Sequence, residues 1–224
     1  MLPDRLFLTF HGLGAPPAGT DPVEAPYWVA PAVLEGVARR AKADPRLAIT
    51  FDDGLASDFH LARPVLEEAG VRATFFVLAG RLDAPGSLSR AQLAEMAQAG
   101  MAIGNHGWDH RDWTRATDAE MRRELHDARR AIEDVAGVAV DTLSIPFGAF
   151  DARVLNLIFE AGYTAAHTSS GGLAAPGARL VPRNTVKQGF DADRDIARLT
   201  GWRGRVESGL RDPLRRWKYG VRAA

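Results

Sequence analysis

The sequence contains no cysteine. Disulfides and thiolate metal sites are therefore excluded, and His, Asp and Glu remain as the side chains able to hold a metal. The compartment stays open on this ground, since secreted proteins can also lack cysteine. An excess of charge of one sign is missing too: 28 Lys and Arg balance 28 Asp and Glu, so no global field would recruit nucleic acid or an anionic membrane. No apolar run approaches the length needed to span a bilayer. The amino terminus reads Met1-Leu2-Pro3-Asp4-Arg5. It lacks the basic start, longer apolar core and small-residue cleavage site of a signal peptide, and the expectation is a soluble cytoplasmic protein. Repeats and low-complexity blocks are lacking as well. The 224 residues suffice for one sizeable domain with a single core, whereas two domains would each be small.

What is present is an alternation of short apolar runs with helically spaced segments. Residues 6–10 read as a strand, and residues 15–31, rich in Pro and Gly, as a long loop able to lie over a barrel mouth. Val33, Leu34 and Val37 give residues 32–43 a helical spacing that Asp44-Pro45 stops. Leu47-Ala48-Ile49 leads a buried strand into Thr50-Phe51-Asp52-Asp53-Gly54. Ser57 is expected to cap a helix that Gly70 closes. Strands follow at 72–78, 101–104, 142–145 and 163–168, with a last short one at Leu180-Val181. Between them, Ser89, Thr117 (in the capping-box sequence Thr117-Asp118-Ala119-Glu120) and Asp151 each start a helix. Such alternation argues for an α/β fold with a parallel sheet, and polar groups at carboxyl strand ends suit a barrel. The domain is expected over residues 1–200. Residues 201–224 are expected to form a basic, helical tail with Arg203, Arg205, Arg211, Arg215, Arg216, Lys218 and Arg222 against Glu207 and Asp212. That tail reads either as a solvated helix face or as a peripheral contact with anionic lipid head groups or a partner enzyme.

Two stretches carry chemistry. Asp52 and Asp53 end a strand, and neighbouring strand residues point to opposite sides, so the two can share a site only if the strand stops there; Gly54 supplies the break. The pair is either a cap at a strand-to-helix turn or part of a cation site, because desolvated carboxylates need compensation. The second stretch, Asn105-His106-Gly107-Trp108-Asp109-His110, places two histidines four apart, on one face if the turn is helical. Together they propose a metal held by Asp53, His106 and His110, with Asp52 free as a base. Two His and one carboxylate suit Zn2+, and Co2+, Ni2+ or Fe2+ accept similar ligands.

These residues match a family. Thr50-Phe51-Asp52-Asp53-Gly54 and the strand Ala73-Thr74-Phe75-Phe76-Val77, the motif His106 to His110, and Ser144-Ile145-Pro146-Phe147-Gly148 resemble motifs of the polysaccharide deacetylases. This is carbohydrate esterase family four, or the NodB-homology domain, and the resemblance runs from about Leu6 to Val186. It implies a distorted (β/α) barrel of about seven strands and metal-dependent removal of an N-acyl group from an amino sugar. By that match Asp52 is the base, Asp53, His106 and His110 bind one divalent metal, and the Phe147 N–H helps hold the oxyanion. Pro146, Phe147, Trp108 and Arg183 would line the substrate groove. The implied partner is an N-acetylated saccharide, polymeric or a precursor carried on a lipid or nucleotide.

Three departures stand out. Gly107 replaces a usual Ser or Thr. Ser144 replaces an arginine that holds the base in many members, and Arg183 is a candidate substitute. The usual carboxyl-terminal Leu-x-His motif, source of the general acid, is not found after Phe190. Some members carry a histidine at the end of the first strand instead, and Leu8-Thr9-Phe10-His11 resembles that arrangement. His11 is thus either the acid that protonates the leaving amine or a strand-end cap. Of the other histidines, His60 reads as packing or surface, His126 as solvated on a charged helix (Arg122, Arg123, Glu124, Asp127), and His167 as a candidate substrate contact near the mouth. Trp108 is either a sugar-stacking face or core, and Asp109 a candidate hydrogen-bond partner of a ligand imidazole. Two rivals remain: a deacylase or deformylase of another amide, and a barrel that binds sugar, or supports a glycosyltransferase, without turnover.

Overall fold

The computed structural model describes residues 4–202 and residue 204. Every cation of the expected basic tail lies outside these described residues.

Eight strands form one sheet: β1 Leu6–Phe10, β2 Leu47–Phe51, β3 Ala73–Val77, β4 Ala102–Asn105, β5 Thr142–Ser144, β6 Ala165–Thr168, β7 Leu180–Pro182 and β8 Asn184–Thr185. Their order is β7-β6-β5-β4-β3-β2-β1-β8, and every pairing is parallel. The two edge strands of that order are halves of one segment, parted only by Arg183. Pro182 pairs with Thr168 of β6, whereas Asn184 pairs with Leu8 of β1. The segment thus bridges both sheet edges and nearly closes a barrel. The seventh strand expected from the sequence is this segment, split in two at Arg183.

The helices are α1 Pro31–Ala43, α2 Arg63–Ala69, α3 Arg90–Gln98, α4 Asp118–Arg122, α5 Ala128–Ala136, α6 Ala152–Glu160 and α7 Ala192–Thr200. Their starts follow the expected chemistry at three places. Ser89 and Thr117 each make a full capping box, with Gln92 and Glu120, and the Asp151 carboxylate accepts from the Val154 amide. Ser57 differs. Its hydroxyl accepts from the Leu13 amide instead of capping, and the chain enters α2 through a π-type turn over Asp58–Ala62. Among the described residues, no helix is long and apolar enough to cross a membrane.

Strand alternation sorts the side chains into two populations. Leu8, Phe10, Ile49, Phe51, Phe75 and Leu143 join the apolar core that the helices complete. The rings of Phe10, Phe51 and Phe75 stack at 5.3 and 4.7 Å centroid distances. The alternate positions Thr9, Thr50, Phe76, Ser144 and His167 point into the barrel together with Arg183. The lumen is therefore polar. At the amino ends of the strands it opens into a cavity of about 930 Å3 lined by Arg5, Phe7, Thr74 and His167 among others. His167 serves this end of the barrel rather than the mouth expected for it, and it packs against Phe7 and Phe76.

Candidate active site and metal centre

Beyond β2 the chain turns one residue earlier than Gly54. Asp53 itself adopts a left-handed conformation, φ 77°, and Gly54 follows at φ 66°. A left-handed backbone is tolerated by Asp better than by most residues. A Cβ at position 54 would also lie 3.0 Å from the Val77 side chain. The carboxylates then part company. Asp52 turns into the lumen, where it is 2% exposed, and Asp53 turns toward the histidines.

The histidine pair is not on a helix. His106 follows directly on β4, Gly107 has φ 91° and His110 has φ 51°, so an irregular loop returns the second imidazole to the first. His106 Nδ1 lies 2.8 Å from the Ser144 carbonyl oxygen. A carbonyl only accepts, so Nδ1 carries the proton and Nε2 of the neutral ring keeps its lone pair. The imidazole partner is thus Ser144, not Asp109, whose carboxylate meets Arg111 and Arg123 at 3.2 Å each.

Asp53 Oδ1 stands 3.5 Å from Nε2 of both His106 and His110. That oxygen is buried and has no hydrogen-bond partner, and the three donor atoms all lie within 4.8 Å of one another. Ligand bonds of roughly 2.0–2.2 Å in a tetrahedral site put donor atoms about 3.3–3.6 Å apart. The donor set fits a divalent metal. The charge state agrees for two of the three ligands. Burial and the neighbouring His106 push His110 down to about 4, which leaves it neutral near pH 7. Burial pushes the Asp53 carboxyl up, but the close approach of His106 outweighs this and holds it at about 2. His106 goes the other way: burial disfavours its charged form, while Asp52 and Asp53 raise it above the ordinary value. A metal would displace that proton.

Asp52 is held by residues from across the barrel. Arg183 donates from Nη1 to Oδ1 and from Nη2 to Oδ2, both at 2.7 Å. Ser144 adds its hydroxyl to Oδ2 at 3.1 Å and itself accepts from Arg183 Nη2 at 2.6 Å. The rest of the guanidinium is satisfied by Thr9 Oγ1 at 2.7 Å, Thr50 Oγ1 at 3.2 Å and the Thr168 carbonyl at 3.3 Å. Burial pushes the Asp52 carboxyl up, but Arg183 and His106 more than offset this and leave it well below the usual range. Ser144 and Arg183 together occupy the place for which the sequence suggested a single arginine.

His11 follows β1 directly, one residue past Phe10, whose carbonyl accepts from the Asp52 amide at 3.0 Å. Its Nδ1 is buried without a hydrogen-bond partner, and its ring packs on Tyr27 of the long loop, 5.0 Å between centroids. Burial lowers its pKa, against the raising pull of Asp52 and Asp53. Phe147 sits in the turn Pro146–Gly148 with φ 57°, its side chain 65% exposed and its ring 4.4 Å from that of His110. Trp108 is half-buried against the core, with the Arg123 guanidinium 4.8 Å from its ring.

Two buried carboxyls escaped the sequence reading. Asp58 accepts from the Leu55 amide at 3.1 Å and closes the loop after Gly54, and burial raises its pKa well above the ordinary value. Glu124, whose charged neighbours on the helix suggest a solvated face, is 1% exposed. A signal for it existed: Glu124 lies three residues after Met121 and four before Ala128, on the buried stripe.

The sequence profile described as polysaccharide deacetylase matches residues 39–166. The peptidoglycan-N-acetylglucosamine deacetylase PgdA of Listeria monocytogenes is 32% identical over 116 residues, 51% of this chain and 24% of that protein. A chitooligosaccharide deacetylase of Sinorhizobium fredii is 30% identical over 161 residues, 71% of this chain and 68% of that protein. The chain spans less than half the length of several such relatives. The crystal structure of BC0361, a polysaccharide deacetylase from Bacillus cereus, superposes with a TM-score of 0.77 at 20% identity, over 87% of this chain and 68% of that one. This likeness shows the shared fold. The match over more than half the chain, and the Sinorhizobium relative covered over two thirds of its length, establish the kinship: the chain belongs to the polysaccharide deacetylase family.

Proposed function

We propose that this protein removes the N-acetyl group from an amino sugar, in a saccharide built on N-acetylglucosamine or in its precursor. The observation that carries the reading is the partnerless Asp53 Oδ1, 3.5 Å from two imidazole nitrogens, beside a separately clamped carboxylate, Asp52. A barrel that merely bound sugar would have no use for a buried carboxylate held ionised next to a metal triad. The relatives' names supply the substrate class.

Asp53, His106 and His110 would hold the metal, with Zn2+ the first choice on its donor set. When bound, it would polarise the amide carbonyl and make a water acidic near neutral pH. Asp52 accepts the proton of the attacking water. Arg183 and Ser144 keep its two oxygens oriented and ionised. The Phe147 N–H donates to the carbonyl oxygen as that oxygen gains charge. His11 delivers a proton to the amine nitrogen as the C–N bond breaks. The exposed Phe147 ring and Trp108 border the groove for the sugar. A cytoplasmic setting and a peripheral role for the basic tail remain part of this proposal.

Release of acetate from chitooligosaccharides and from peptidoglycan fragments, with Zn2+ or Co2+ supplied, tests it. The expected result is metal-dependent release that disappears in Asp52→Asn while metal content is kept. Saccharide binding without acetate release by a metal-loaded wild type would overturn it in favour of the binding barrel. Release of formate or another acid from a non-sugar amide, and none from sugars, would favour the other rival.

A further inference from the structure

The loop that brings His110 back to His106 is gripped from behind by one helical segment. α4 and α5 are not a plain continuous helix: residues Arg123–Asp127 between them form a π-type turn. Such turns recur at functional sites, and their wider ring leaves backbone groups in need of other partners. Here the Glu124 carbonyl accepts from Asn105 Nδ2 at 2.9 Å and the Leu125 carbonyl from the Tyr163 hydroxyl at 2.6 Å. Asn105 Nδ2 also donates to the Tyr163 oxygen, and Asn105 Oδ1 accepts from the Gly107 amide at 2.7 Å. The residue before His106 therefore ties the π-type turn to the start of the histidine loop.

The turn directs the Glu124 side chain inward. Its Oε2 accepts from the Trp108 amide at 2.7 Å, and the Asp109 amide lies 3.3 Å from Oε1. Arg111 Nε is 3.4 Å from Oε1 and balances the buried charge. Gly107 makes room for this. A Cβ there would sit 2.3 Å from Glu124 Oε2, and its φ of 91° already disfavours any side chain. Neighbouring helix residues hold the outside of the same loop, Arg123 over Trp108 and on Asp109, and Glu120 on Arg111. A buried carboxylate is costly unless its bonds are worth having, and these bonds end on the stretch between the two imidazoles.

We infer that Glu124 is a positioning residue for the metal site: through the Trp108 and Asp109 amides it fixes the loop that aims His110 at Asp53, with Gly107 as the cleared space it requires. The inference rests on the reading of Asp53, His106 and His110 as metal ligands. Loss of an outer partner of this kind weakens metal binding by about 10–100-fold.

The test is titration of the metal-free protein with Co2+, followed by its visible absorption, beside thermal unfolding of the same metal-free samples. Wild type should bind one ion and His110→Ala should not. Glu124→Ala should bind about 10–100-fold more weakly, with an altered spectrum. Glu124→Gln, which keeps one acceptor oxygen but no charge, should lose only about fivefold. If Glu124→Ala does not fold, Glu124→Gln decides alone, and wild-type affinity in it overturns the inference. Wild-type affinity and spectrum in folded Glu124→Ala, whatever its melting temperature, reduce Glu124 to a structural role and overturn it as well. A wild type that takes up no Co2+ fails differently: it overturns the metal reading itself, and this inference with it.

Discussion

Arg183 donates one hydrogen bond to each oxygen of Asp52, both at 2.7 Å, from a guanidinium that is fully buried in the barrel. The same residue parts β7 from β8, so the seam that closes the sheet and the clamp on the proposed base coincide. Replacing Arg183 by Met would leave a buried carboxylate uncompensated, at a cost of about 3–5 kcal/mol in urea unfolding. Arg183→Lys keeps the charge but loses the fork. Because Arg183 holds the Asp52 carboxyl down against burial, the acid limb of kcat/KM should move to higher pH in Arg183→Lys. An active, folded variant with an unmoved acid limb would contradict the clamp.

Ser144 makes two separable contributions. Its hydroxyl serves Asp52 and Arg183, while its carbonyl accepts from His106. Ser144→Ala removes only the first, so kcat should fall about five- to tenfold, the equivalent of about one hydrogen bond. Metal affinity should stay at the wild-type value, because the backbone bond to His106 survives. A variant that loses metal along with activity would show that the two contributions cannot be separated.

Parts of this site can be read from the chain and parts cannot, for physical reasons. Asp52, Asp53, His106 and His110 stand out because chemistry-bearing residues cluster just after apolar runs. Their local shape is not encoded in the same way: four-residue spacing suggests a helical face, yet φ angles of 91° at Gly107 and 51° at His110 make the loop irregular. Arg183 and Ser144 meet Asp52 across sequence separations of 131 and 92 residues, which no local pattern encodes. Glu124 was hidden by its type, since a glutamate among charged neighbours on a helix is ordinarily solvated. The capping boxes at Ser89 and Thr117 were legible because both partners lie within one turn.

The proposed function gives His11 the proton that the leaving amine needs. Removing a general acid typically costs about 10²–10⁴-fold, and His11→Gln should show such a loss on an N-acetylated saccharide. The same variant should lose far less on an aryl acetate, whose phenolate leaves without a proton. Metal content should be unchanged, since Asp53, His106 and His110, the proposed ligands, are intact. Equal losses on both substrates would remove His11 from the role of acid and return it to a strand-end packing residue.

The lumen makes a prediction about stability that is independent of catalysis. His167 is buried between Phe7 and Phe76 with a partnerless Nδ1, and burial, aided by Arg183, pushes it down to about 3. The folded pKa thus lies below the unfolded value of 6.5, so between about pH 3 and 6.5 the unfolded chain binds a proton that the native one refuses. Stability from this group is complete above pH 6.5 and drains away as the pH falls toward 3. At pH 5 the loss relative to pH 7 should be about 2 kcal/mol, from 1.36 kcal/mol per unit of pH below the unfolded pKa. Urea unfolding of the metal-free protein at the two pH values, with His167→Gln beside wild type, reads this directly. The variant gives up packing at both pH values, but its difference between pH 5 and 7 should be smaller than wild type's by about that amount. An equal difference in both proteins would mean that His167 takes up its proton without opening the barrel.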